Sequence, residues 1–276
     1  MLITRVVTAV ILIAVVMGSL AWSPTAFAIV ATVVLGFALA EWLQLTGASR
    51  KVSMTLAAIV GVVLLYVAIA SRDVIAVVAF PLSVLACALW LVITAVLMQP
   101  NAIALRAPRG LGIALALLLV LAAWFALVSL LFQGAIVLLS VLLIVWIADT
   151  AAYFAGRAFG HRKLAPHISP GKTWAGVIGA VGAVLITAML VKQFAPAAPI
   201  YSNGLFSAGG AVLALLLMAG LVVLSVAGDL YESLLKRQAG VKDSSQLLPG
   251  HGGVLDRVDA MVPVLPAAFL VQWLVR

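Results

Sequence analysis

Nine apolar runs, each close to the length that crosses a bilayer, follow one another through this 276-residue chain. They lie at positions 6–22, 26–45, 52–70, 74–98, 111–132, 135–154, 174–194, 208–227 and 260–275. A spanning helix needs about 20 consecutive apolar residues. The runs are continuous, with no alternation of period 2, so they read as helices and not as barrel strands. With 66% hydrophobic and 9% charged residues, the chain falls far below the roughly 25% charge of a soluble domain. A globular core of this length could not hide so much apolar surface. The expected fold is an all-α, polytopic integral membrane protein: a bundle of about nine transmembrane helices with cytoplasmic polar loops. Arg5, the first run and Ala26-Phe27-Ala28 imitate a secretory signal with a small-residue cleavage site. The apolar character continues to Leu45, however, so Ser23-Pro24-Thr25 reads as the joint between two spans. One cysteine, Cys87, leaves no intramolecular disulfide and no thiolate zinc cluster.

Basic residues set the orientation. Of the 16 Lys and Arg, 13 fall on one set of alternate segments: Arg5, Arg50, Lys51, Arg106, Arg109, Arg157, Arg162, Lys163, Lys172, Lys236, Arg237, Lys242 and Arg257. The other set holds Arg72, Lys192 and Arg276. That asymmetry places the N-terminus and the polar loops 155–173 and 228–259 in the cytoplasm and the C-terminus outside. It also supports nine spans, because merging two would scramble it. The formal charge of +8 reads first as topology and then as affinity for anionic lipid and anionic substrates. Polar chemistry is concentrated late in the chain. Residues 1–134 read as a scaffold of about five spans, and residues 135–276 as a catalytic region of about four.

Five of the eight acidic residues lie between Asp229 and Asp259. Asp229, Glu232, Ser233 and Lys236 stand at i, i+3, i+4 and i+7, which puts them on one helix face if the eighth span continues as helix. Asp256 and Asp259 share a face at the start of the last span. Two helix ends then present carboxylates to one cytoplasmic pocket, an arrangement suited to Mg²⁺ with substrate phosphates. The same spacing also suits a solvated face with a helix-dipole acid at Asp256. The turn Pro249-Gly250-His251-Gly252-Gly253 can bring backbone N–H groups to an anion, with His251 as a donor, or it is a structural turn. Ser169-Pro170-Gly171-Lys172-Thr173 reads as the start of the seventh helix. Ser169 would be its N-cap and Pro170 its first residue, either as simple capping or as a phosphate site with Lys172 and Thr173. It is no Walker A loop, since the spacer and second glycine are missing. Asp149 is an isolated acid inside an apolar run, and such a residue pairs inward; Arg157, Lys163 and Lys172 are its candidate partners. Gly156, Gly160, Gly176, Gly179 and Gly182 allow close helix packing.

The run from Ser233 to Asp259 includes Lys236-Arg237, Lys242-Asp243, Pro249-Gly250-His251-Gly252-Gly253 and Asp256-Arg257-Val258-Asp259. It resembles the signature of the phosphatidate cytidylyltransferases, also called CDP-diacylglycerol synthases. Upstream, Asp149, Tyr153, Gly156-Arg157, Phe159-Gly160, Lys163-Leu164 and Ile168-Ser169-Pro170 with Lys172-Thr173-Trp174 look like the same family. The N-terminal half matches in hydropathy and in Glu41-Trp42. Ala175 stands where the family commonly carries an acid. The resemblance implies transfer of CMP from CTP to phosphatidate, giving CDP-diacylglycerol and pyrophosphate. It implies Mg²⁺ with K⁺ as a second ion, and metal ligands at Asp229, Asp256 and Asp259. Lys236 and Arg237 would join these acids in catalysis. Substrate would be held by Asp149, Ser169, Lys172, Thr173, Ser233, Lys242, Asp243, His251, Gly252, Gly253 and Arg257. The implied partners are CTP, phosphatidate and membrane lipids in a homodimer of the cell membrane, with no nucleic acid.

Two other classes compete. A CDP-alcohol phosphatidyltransferase requires DG-x2-AR-x8-G-x3-D-x3-D, and no such run occurs. A cation-coupled transporter could use Asp149, Asp229 and Asp259 as ion sites. Transporters of that kind tend to repeat their halves, whereas here the acids gather in one half.

Overall fold

The computed structural model describes the chain except Met1, Ser71, Pro100 and Arg276, together with the side chains of residues 2–5 and Arg72. Arg5, Arg72 and Arg276 of the charge count therefore lie outside the described side chains. The long helices are α1 (Leu2–Trp22), α2 (Pro24–Leu45), α3 (Arg50–Ala70), α4 (Arg72–Leu97), α5 (Arg109–Gln133), α6 (Ala135–Phe159), α7 (Trp174–Phe194) and α8 (Tyr201–Ala239). A short α9 (Leu255–Val258) leads into α10 (Met261–Leu274). Among the described residues, eight helices are long and apolar enough to cross a membrane, and a shorter apolar helix, Val6–Trp22, occupies the place of the first expected span. Large apolar side chains such as Val77, Ile178, Phe194, Val212 and Leu216 point outward. In water such a surface would aggregate; in lipid it is the solvated face.

The closely spaced runs separate where the chain can turn. Ser23 caps α2, its Oγ accepting the Ala26 N–H at 3.0 Å, with Pro24 at the first helical position. Gly134, between α5 and α6, takes φ 151. Trp124 on α5 is fully buried and donates to Thr32 Oγ1 on α2 at 2.8 Å, satisfying its one polar atom. Between α6 and α7, a Cβ on Gly156, Gly160, Gly176 or Gly179 would run into the neighbouring segment, whereas Gly182 faces open space.

One expectation is corrected, at the start of the seventh helix. Within the polar loop 155–173, Lys163–Ala165 (β1) and Ser169–Thr173 (β2) form an antiparallel hairpin, pairing Lys163 with Thr173 and Ala165 with Ser169. Ser169 therefore does not cap the seventh helix. Thr173 does, with extended backbone and its Oγ1 accepting the Gly176 N–H at 3.1 Å. Ser23-Pro24 and Ser169-Pro170 look alike, but Gly171 follows the second pair and weakens a helical first turn by about 1 kcal/mol. The pairing of Ala165 with Ser169 and of Lys163 with Thr173 keeps the segment extended until the next hydroxyl.

The eighth helix extends past its apolar run. It is broken at Gly210 (φ 72, ψ 179) and runs on to Ala239. From 211 to 239 it is roughly 44 Å long, against about 30 Å of bilayer hydrocarbon. Its last turns, with Glu232, Lys236 and Arg237, thus project beyond the apolar layer. Gly240 in the left-handed region closes it, its N–H reaching Arg237 O.

Candidate active site

Four segments meet at the polar end of α8: the hairpin, α8 itself, the loop 240–254, and α9 with the start of α10. Gly228 permits the approach of α8 to α10, because a Cβ there would lie 2.5 Å from the Asp259 carbonyl and 2.8 Å from the Pro263 ring. The residue after this contact is Asp229, so the glycine delivers Asp229 to Asp259. Carboxylate oxygens of Asp229, Glu232 and Asp259 lie within 4.8 Å of one another. Two ligands across an octahedral Mg²⁺ stand roughly 4.2 Å apart, so this cluster could close on one such ion with small shifts. All three donors are hard oxygens, the type Mg²⁺ takes.

Cations flank the acids. Lys172, at the end of the hairpin, pairs with Asp229 at 2.6 Å. Asp149 on α6 interacts electrostatically with both; of the partners expected for it, Lys172 is the one in place. Lys236 pairs with Glu232 one turn back and with Asp256 at 2.7 Å. Asp256 also accepts from Ser244 N at 3.0 Å and Gly253 N at 2.8 Å, and the Ser244 hydroxyl oxygen lies 3.0 Å from it. Its carboxylate is thus held by the loop and Lys236, while Glu232 stands in the three-acid cluster. Five carboxylates face two ammonium groups here, an imbalance that favours bound cations.

The remaining expected residues take varied places. Thr173 is buried as the helix cap, and Ser169 lies in β2. Arg237 Nε donates to Ile168 O at 3.3 Å, tying α8 to the hairpin. Arg257 Nε donates to the His251 carbonyl at 3.0 Å. Two of the turn's N–H groups are engaged: His251 N reaches Leu248 O at 2.9 Å and Gly253 N reaches Asp256. Gly252, at φ 82, forms a bridge with Leu248. Lys242 and Asp243 are exposed, and Ser233 is half-buried.

Sequence reasoning did not assign Glu41. It lies buried on α2, and both its carboxylate oxygens receive donors from the loop 244–255. The signal was available: Glu41 is an acid alone inside an apolar run, the same rule that singled out Asp149. Beside the site, an apolar groove runs between α2, α4, α5 and α8, lined by Leu89, Val92, Val96, Leu111 and Leu115, with Arg106 and Arg109 at its edge. Tyr231 and Leu235 line both this groove and the small cavity against Glu232 and Asp259.

Comparison with known proteins adds an independent finding. The sequence profile described as "Cytidylyltransferase family" matches residues 3–275. A Pseudomonas aeruginosa protein named phosphatidate cytidylyltransferase is 38% identical over 280 residues, covering 99% of this chain and 97% of that protein. Proteins of the same name match over part of their length. The one from Haemophilus influenzae is 48% identical over 135 residues, 49% of this chain and 45% of its own. The one from Thermotoga maritima is 39% identical over 140 residues, 50% and 49% respectively.

Proposed function

This chain belongs to the cytidylyltransferase family, and from that premise we propose that it transfers CMP from CTP to phosphatidate. An oxygen of the phosphatidate phosphate attacks the α-phosphorus of CTP, the bond to the β-phosphate breaks, and pyrophosphate leaves. The observation that carries this reading is the three-acid cluster bracketed by Lys172 and Lys236 at the polar end of a spanning helix. A phosphate monoester is largely dianionic at neutral pH, with a second pKa of about 6, so it needs little help from a base. The difficulty is bringing two polyanions together.

Asp229, Glu232 and Asp259 would hold Mg²⁺, which supplies positive charge against the triphosphate and the departing pyrophosphate. Lys172 is poised to exchange Asp229 for a substrate phosphate. Lys236 keeps Glu232 and Asp256 in register, and Arg237, Lys242 and Arg257 add positive charge around the entrance. Asp256 orders the loop from which His251 would reach the nucleotide. The apolar groove gives the diacyl substrate a lateral approach, with Arg106 and Arg109 favouring its anionic headgroup. Orientation with both polar loops in the cytoplasm of the cell membrane, and assembly as a homodimer, belong to the same proposal.

Reconstituted protein should release pyrophosphate when CTP, phosphatidate and Mg²⁺ are all present. Omitting any one should abolish release. Release without phosphatidate would contradict the reading, and ion flux without nucleotide turnover would favour a transporter.

A further inference from the structure

We propose that Glu41 is a positioning residue that clamps the 244–255 loop and thereby sets Asp256 and Lys236 for the reaction proposed above. Its Oε1 accepts from Ser245 Oγ at 2.6 Å and from Val254 N at 3.0 Å. Its Oε2 accepts from Ser244 Oγ at 2.8 Å and from Leu255 N at 2.7 Å. Both ends of one loop therefore converge on one carboxylate contributed by the N-terminal half of the chain.

The chemistry requires a carboxylate. Four donors need four acceptor sites, which an ionised acid has and an amide lacks. Leu255 opens α9, and Val254 before it offers no side-chain cap, so Glu41 caps α9 from another helix. Gly253 leaves room for this: a Cβ there would meet the Ser244 hydroxyl and the Glu41 carboxylate. Ser244 then passes the constraint onward. Its hydroxyl lies within hydrogen-bond distance of both Glu41 and Asp256, its N–H donates to Asp256, and Asp256 pairs with Lys236. Trp42 beside it packs on Tyr231 of α8, ring centroids 5.7 Å apart, so α2 holds the loop and α8 from adjacent positions. The N-terminal half is thus part of the catalytic apparatus, beyond the scaffold role its hydropathy suggested.

The test uses the full chain in lipid nanodiscs, as wild type, Glu41→Gln and Glu41→Asp. Pyrophosphate release gives kcat and the two KM values, and hydrogen exchange reads the loop independently of activity. Glu41→Gln should lower kcat by about 10- to 100-fold, the usual cost of losing an outer-sphere partner. KM for CTP should stay within a factor of about 3, as expected for an interaction that matters in the transition state. Exchange over 244–255 should accelerate while the spans stay protected, and Glu41→Asp, charged but one methylene shorter, should fall between. Wild-type kcat in Glu41→Gln, unchanged loop exchange, or loss of protection throughout the spans would each overturn the proposal. If the wild type releases no pyrophosphate, the proposed reaction fails, and the exchange measurement still decides whether the clamp exists.

Discussion

Replacing Lys236 by Met should destabilise the protein far more than the same change at Lys172, although both lysines pair with site acids. The Lys236 side chain is 14% exposed, and its partners Glu232 and Asp256 are 4% and 6% exposed. Removing the cation deprives two buried carboxylates of it, Asp256 keeping its loop donors and Glu232 losing its ion-pair partner, and breaking one buried pair costs about 3–5 kcal/mol. Lys172 and Asp229 are 21% and 39% exposed. An accessible pair of that kind contributes about 0.2–1 kcal/mol. The two variants should therefore differ by at least about 2 kcal/mol, with Met keeping the aliphatic bulk of the stem in both. Thermal unfolding in one detergent–lipid mixture without divalent ions measures the difference. Adding Glu232→Gln to Lys236→Met removes one stranded charge and should recover part of the loss. Equal destabilisation at both lysines would refute the reasoning, because it would mean that burial does not set the strength of these pairs.

Thr173→Ala should cost about 1 kcal/mol through the lost α7 cap, and Ser169→Ala should cost less; melting curves of the two variants check the ranking. Gly228→Ala should reduce activity and shift the Mg²⁺ titration midpoint upward, since its Cβ pushes Asp229 away from Asp259; an unchanged midpoint would show that the contact can relax. In a Cys87→Ala background, a thiol placed at position 198 should react with an impermeant reagent from outside intact cells and one at 244 should not. Strong external labelling at 244 would overturn the topology.

The helices were legible because length and apolarity mark them: the expected runs fall on helices, and among the described residues eight of these are long and apolar enough to cross a membrane. The face carrying Asp229, Glu232 and Lys236 was legible because helical spacing is local. The hairpin was not: its strands are short, and they hold through the pairing of Lys163 with Thr173 and Ala165 with Ser169, which local spacing does not record. The Glu41 clamp joins residues 213 positions apart, and no local pattern records which loop an isolated buried acid will meet. Asp256 was expected beside Asp229 and Asp259. The loop and Lys236 take up its oxygens instead, and Glu232, one turn along α8, stands in the cluster.

The most direct test follows the label from CTP. With CTP labelled at the α-phosphorus, the account predicts phosphatidate-dependent transfer of label into the lipid phase with wild type. Asp259→Asn should lower that transfer at least about 100-fold, comparable to loss of a key electrostatic stabiliser. With γ-labelled CTP, the label should remain in water as pyrophosphate. Lipid labelled from the γ-position, or undiminished α-label transfer by Asp259→Asn, would contradict the account.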